Sequence, residues 1–201
     1  MNGEFFLTAL IVVLMPGTGV AYTLAATLGQ GRRAGCIAAF GCTLGILPHL
    51  ALSTAGVAAL LVASPVAFET FKALGVAFLA WMAWRVWRGT GAIQIDPGRA
   101  PLRARRLVID GVLLNALNPK LSVFFLAFLP QFVPPSAPDA GRRMMILALV
   151  FMLMTLAAFL LYAVFASALR RRVVENPRAL SYLRAGFAVS FAVLGLRLAL
   201  T

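Results

Sequence analysis

Long apolar runs, interrupted at near-regular intervals by short polar or basic segments, are the first feature of this chain. About 20 mostly apolar residues suffice to cross roughly 30 Å of hydrocarbon as a helix. Six segments meet that length, at about 5–28, 36–62, 66–87, 108–133, 144–169 and 179–200. The pattern therefore predicts an all-α membrane protein of six transmembrane helices. The third and sixth segments carry basic residues near both ends, Lys72 with Arg85 and Arg184 with Arg197. Such side chains can snorkel to the interface, where Trp84 and Trp87 would anchor the third segment.

Most connections are short. The long one, about 88–107, carries Gly, Pro and several Arg. If the loops after spans one, three and five share a side, that side holds Arg32-Arg33, the cluster from Arg85 to Arg106, Arg170-Arg171-Arg172, Arg178 and Arg184. The other side keeps Lys72, Arg142, Arg143 and Arg197. The positive-inside rule then puts both termini on the outer face. The start, Met1-Asn2-Gly3-Glu4, lacks a basic n-region, so the first apolar segment is expected to stay in the mature protein.

Composition agrees with a bilayer as solvent: 62% hydrophobic residues and 12% charged, with mean hydropathy +0.93. The net charge of +12 raises the question of nucleic acid. The basic residues lie between apolar runs and form no continuous face, so they report topology and no nucleic-acid partner is expected.

Internal symmetry sharpens the picture. Leu14-Met15-Pro16-Gly17 aligns with Leu117-Asn118-Pro119-Lys120 at an offset of 103 residues. Lys72 and Arg184 are 112 residues apart, as are Arg85 and Arg197. Three spans per half force the second half to run inverted. The expected organisation is a single domain, 1–201, with repeat one at about 1–88, a cytoplasmic loop at about 88–107 and repeat two at about 107–201.

Pro16-Gly17-Thr18-Gly19 and Asn118-Pro119-Lys120 both fall near the middle of their spans. Proline removes a backbone donor and glycine permits unusual backbone shapes, so helices one and four are expected to be broken at mid-membrane. The freed backbone groups must face protein or a wet cavity. A Pro kink without chemistry is the plain alternative, but two kinks at matching positions point to a central substrate site.

Lys120 is the sharpest polar clue, because a lysine at mid-span costs about 2.5–3.5 kcal/mol unless paired or hydrated. Its candidate partners are a substrate carboxylate, an acid, or the carbonyls of a broken helix. Asn115 and Asn118, three apart, share a helix face beside it. His49, the single histidine, is a candidate proton relay or a neutral residue bonded to a neighbouring helix. Glu69 and Asp110 complete the coupling and gating candidates. Glu69 also suits an ion pair with Lys72, and Asp110 suits capping at the start of span four. Thr18, Tyr22, Thr43 and Ser53 read as minor polar contacts, and Gly35, Gly41 and Gly45 as small-residue packing in span two.

Other classes fit less well. Cys36 and Cys42, six apart on one helix, suit neither a disulfide nor a redox pair. A metal exporter would want several His, Asp, Glu or Cys ligands, so no metal site is expected. No Ser-His-Asp set, HExxH or P-loop is present, so neither an enzyme nor direct use of ATP is indicated, and no cofactor is expected. Secondary transport of a small solute remains, by rocking of one repeat against the other.

These residues resemble the amino-acid exporters of the LysE/RhtB superfamily, over essentially the whole chain. The Pro-Gly-Pro of that family's first helix is similar to Pro16-Gly17-Thr18, with threonine in place of the second proline. Gly31-Arg32-Arg33-Ala34-Gly35, Gly41 and Gly45 follow the family's glycine run. The second half matches more closely, in Asn115-Ala116-Leu117-Asn118-Pro119-Lys120 and then Phe124-Phe125-Leu126-Ala127-Phe128-Leu129-Pro130-Gln131-Phe132-Val133. The resemblance implies proton-driven efflux of a zwitterionic or cationic amino acid across a bacterial cytoplasmic membrane; a homo-oligomer fits the same reading. Export of a cation or of another small metabolite is the alternative. Pro16, Gly17, Thr18, Gly19, Asn115, Asn118, Pro119 and Lys120 are the expected substrate-binding residues, with a substrate carboxylate received at a half-helix N-terminus beside Lys120.

Overall fold

A computed structural model of the chain describes residues 3–15, 17–54, 103–134 and 139–200, together with scattered positions between 64 and 88. Every regular element among the described residues is helical. The elements are α1 (Gly3–Leu14), α2 (Thr18–Gln30), α3 (Arg32–Leu44), α4 (Leu47–Thr54), α5 (Ala104–Ala116), α6 (Pro119–Val123), α7 (Ala140–Val174) and α8 (Pro177–Leu200). After α6 the chain continues through a π-helical turn, Phe124–Phe128, and a 3-10 turn, Leu129–Phe132.

Two helical stretches, Arg32–Thr54 and Ala140–Val173, are each long and apolar enough to cross a membrane. Two bent pairs would each make one more. α1 and α2 meet at 49°, and α5 meets Lys120–Phe132 at 56°. The bends fall at the two Pro-containing segments that the sequence marks as breaks. Lys72, Arg85, Pro16, the loop through 89–102 and the expected end of span two at 55–62 lie outside the described residues. Residues 179–200, expected as the sixth span, are helical within α8, which is not among the helices that meet the length and apolarity for crossing a membrane.

The outer surface is that of a membrane protein. Leu10, Ile11, Phe40, Leu113, Leu153 and Phe165 are exposed, an arrangement that is costly in water and neutral against lipid chains. α7 runs past its expected apolar stretch, 144–169, and carries Arg170, Arg171 and Arg172 just before its end at Val174. At 1.5 Å per residue it is about 50 Å long, so it extends beyond the hydrocarbon. Arg170 turns back at that end, donating from Nε to the Leu28 carbonyl at 2.7 Å and from a terminal nitrogen to that of Gly29 at 3.1 Å. Those carbonyls belong to the last turn of α2, where a cation is favoured.

One expected boundary shifts. α5 begins at Ala104, so Asp110 lies in its second turn, where it pairs with Arg106 at 2.9 Å and caps nothing. Arginines at the interface lengthen the helix beyond its apolar part, because their stems pack while their heads stay wet.

α3 and α5 pack backbone to backbone. A Cβ on Gly41 would lie 2.7 Å from the Val108 carbonyl oxygen, and one on Gly45 2.6 Å from that of Val112. On α5 a Cβ at Gly111 would reach the Cys42 amide nitrogen at 2.9 Å. Only glycine allows this approach, which is the small-residue packing expected at Gly41 and Gly45. Beside this seam Phe124 stacks on Phe151 at 4.4 Å between centroids, and Phe125 meets Phe151 edge-on. This core carries the two breaks at its centre.

Candidate functional site

Each helix break leaves carbonyls without an intrahelical donor, and in a membrane interior water is not at hand to meet them. At the end of α1 the Met15 amide still bonds the Ile11 carbonyl at 2.9 Å. The Val12 and Met15 carbonyls both accept from Lys120 Nζ, at 2.9 Å each. The Leu14 carbonyl accepts from the Tyr162 hydroxyl on α7 at 3.0 Å. Gly17 is extended, α2 starts at Thr18, and no side chain caps its first turn.

The second break is resolved in a matching way. The Leu114 carbonyl accepts from Thr18 Oγ1 at 3.3 Å, and the Asn115 carbonyl from His49 Nε2 at 2.9 Å. Asn118 caps α6: its side-chain oxygen accepts from the Lys120 amide at 3.1 Å. Pro119 takes the first helical position, where its missing N–H costs nothing. The residue that opens α2 thus serves the second break, and Lys120, just past the second break, serves the first.

The Asn115 amide nitrogen donates to the Cys42 carbonyl at 2.8 Å, and its oxygen accepts from Asn118 Nδ2 at 3.3 Å. Both asparagines are buried. A carbonyl can only accept, so His49 Nε2 carries a proton; Nδ1 lies 3.3 Å from Ser122 Oγ and accepts from it when the ring is neutral. Ser122 Oγ has a second acceptor in the Asn118 carbonyl at 3.5 Å.

A small cavity lies at the centre of this network. Its volume of about 10 Å3 gives room for about one water molecule. Lys120, Asn115, Asn118, Gly19 and Thr155 line it together with the apolar Val12, Val13, Val20, Leu121, Phe151 and Phe159. Gly17 is adjacent, since a Cβ there would be 3.1 Å from Lys120 Nζ.

The structure therefore brings together Gly17, Thr18, Gly19, Asn115, Asn118 and Lys120, with His49 bonded to the rim. Glu69 is exposed, Asp110 is paired with Arg106, and neither is among the cavity walls. Tyr162, Ser122, Thr155, Phe151 and Phe159 escape sequence reasoning. A tyrosine and a serine inside apolar segments were the available signals for two of them; the phenylalanines gave none. Both cysteines are free, and no group of His, Cys, Asp or Glu suited to a metal occurs among the described residues.

A buried polar network around a small cavity, at paired breaks between membrane helices, has the form of a solute pathway. The family described as LysE type translocator matches residues 10–201. The chain belongs to that family. It is a membrane transport protein and not an enzyme. A homoserine/homoserine lactone efflux protein of Salmonella typhi is 28% identical, over 97% of this chain and 94% of its own. A leucine efflux protein of Enterobacter sp. is 29% identical, over 89% of this chain and 84% of its own. An uncharacterized membrane protein of Pseudomonas aeruginosa is 31% identical, over 80% and 76%. No solved structure matches the chain.

Proposed function

We propose that this LysE translocator exports a zwitterionic amino acid or a close derivative from the cytoplasm by proton-coupled secondary transport. In this reading it resides in the bacterial inner membrane with six spans, as two inverted three-helix repeats, and with both termini outside.

The observation that carries the reading is the contact of Lys120 Nζ with the Val12 and Met15 carbonyls beside the cavity. A cation is held in the apolar interior by backbone groups that a helix break has freed, which is the construction expected of a substrate site. A substrate carboxylate would meet Lys120 and the uncapped start of α2, close to Gly17. Phe151, Phe159 and Leu121 would contact its side chain. The efflux names of the Salmonella and Enterobacter relatives support an amino-acid substrate.

Rocking of the repeats would require the cross-connections at the two breaks to part and re-form, since Lys120 and Thr18 each join residues about a hundred positions apart. Among the proton candidates His49, Glu69 and Asp110, His49 is bonded to the site. A proton on Nδ1 would turn Ser122 Oγ toward its second acceptor, the Asn118 carbonyl.

The test is release of a panel of preloaded radiolabelled amino acids from cells, with and without an imposed pH gradient. Gradient-dependent release of one chemical class is expected. No release of any member would transfer the site to a cation or another metabolite.

A further inference from the structure

The carbonyl pair that holds Lys120 has a ligand chemistry of its own. The oxygens of Val12 and Met15 converge on a single ammonium, at 2.9 Å each. Neither is met by a helical donor, because α1 ends at Leu14, so both must stay bonded to something whenever the protein is in the bilayer. An ammonium is also one end of every free amino acid.

We propose that the Val12 and Met15 carbonyls are the subsite for the substrate ammonium, and that substrate binds by displacing Lys120 Nζ from them. The proposal rests on the amino-acid export reading and deepens it. The exchange is like for like: one ammonium replaces another, and the carbonyls remain satisfied before and after. The displaced lysine needs an anion, and the same substrate molecule brings one in its carboxylate. A zwitterion therefore satisfies both sides of the exchange. A carboxylate without an ammonium leaves the carbonyls bare, and an amine without a carboxylate leaves Lys120 charged and unpaired.

The surroundings allow the movement. Gly17 has no side chain where a Cβ would come within 3.1 Å of Nζ and 3.3 Å of Cε, so no side chain on that flank stands in the lysine's way. Val12 and Lys120 both border the cavity, so the contact to be exchanged faces the space that must open. Phe151, Phe159 and Leu121, which also border the cavity, suit an apolar side chain.

The discriminating experiment is equilibrium binding to the purified full-length protein, by titration calorimetry. The ligand set is leucine or homoserine, whichever the wild-type protein releases, with leucine methyl ester and N-acetyl-leucine. The ester keeps the ammonium and lacks the carboxylate; the N-acetyl compound does the reverse. For the wild type both analogues are expected at least about tenfold weaker than the free amino acid. In Lys120→Met the carbonyls have no resident ammonium and no lysine awaits a carboxylate. The ester should then bind as well as the free amino acid or better, while N-acetyl-leucine stays weak.

Equal binding of N-acetyl-leucine and the amino acid by the wild type would overturn the proposal without recourse to any variant. So would Lys120→Met weakening the ester as much as the amino acid. Failure of the wild type to bind or release any amino acid would remove the export reading itself, a result distinct from either.

Discussion

Thr18 Oγ1 donates to the Leu114 carbonyl across 3.3 Å, so the residue that opens one half-helix satisfies the last turn before the other break. Lys120 returns the connection to Val12 and Met15. Each break thus depends on a side chain from just beyond its counterpart, and neither can be altered in isolation.

Thr18→Val keeps the shape and removes the donor. The Leu114 carbonyl loses that partner in a buried setting, a loss of about 1 kcal/mol. A lower unfolding midpoint in detergent and severalfold slower efflux are expected, with Thr18→Ser close to wild type. A fluorescence-detected melt and a transport assay check this; unchanged values for Thr18→Val would show that the bond has no weight.

Backbone contact between α3 and α5 leaves no room for a methyl group. At Gly41 and Gly45 the nearest atom that a Cβ would meet is a main-chain carbonyl oxygen, at 2.7 Å and 2.6 Å, which cannot turn aside. Gly41→Ala and Gly45→Ala should each cost about 1–3 kcal/mol by overpacking. Gly29→Ala, where a Cβ meets nothing within 4 Å, should not lower the melting midpoint. Equal midpoints for all three variants would contradict the packing.

Asn115 joins α5 to α3 through the Cys42 carbonyl and to Asn118 across the break. Asn115→Leu, similar in volume, leaves the Cys42 carbonyl without this donor and is expected to destabilise by about 1–3 kcal/mol. The chemical-denaturation midpoint should fall accordingly, and an unchanged midpoint would show that the amide contributes little.

His49 has one nitrogen committed to the Asn115 carbonyl and the other to Ser122, whose hydroxyl has an alternative acceptor. His49→Asn should retain efflux but lose its response to an imposed pH gradient. Efflux rates measured at several internal pH values decide this; a preserved response would leave His49 only its structural bonds.

The breaks were legible in the sequence because their cause is local: Pro16-Gly17 and Pro119 interrupt otherwise continuous apolar runs, and the bends occur there. The seam between α3 and α5 was half legible, from Gly41 and Gly45 but without the partner helix. Lys120 announced itself as a lysine in an apolar segment. Its partners could not be read, because Val12 and Met15 act through main-chain oxygens that any residue would supply. Asp110 was placed at a helix start because the apolar run begins near it, whereas arginines at 103–106 carry the helix outward. Tyr162 and Ser122 depend on tertiary approach, which spacing along the chain does not encode.

The central claim is that the Lys120 contact beside the cavity belongs to a working amino-acid site. Its most direct test is release of the preferred labelled amino acid from proteoliposomes holding equal amounts of folded wild-type and Lys120→Met protein. Removing a charge-assisted contact of this kind corresponds to about 1.5–3 kcal/mol, so release by the variant should be slower by tenfold or more. Equal rates would contradict the account, leaving Lys120 as a brace for the broken helix and placing the substrate elsewhere.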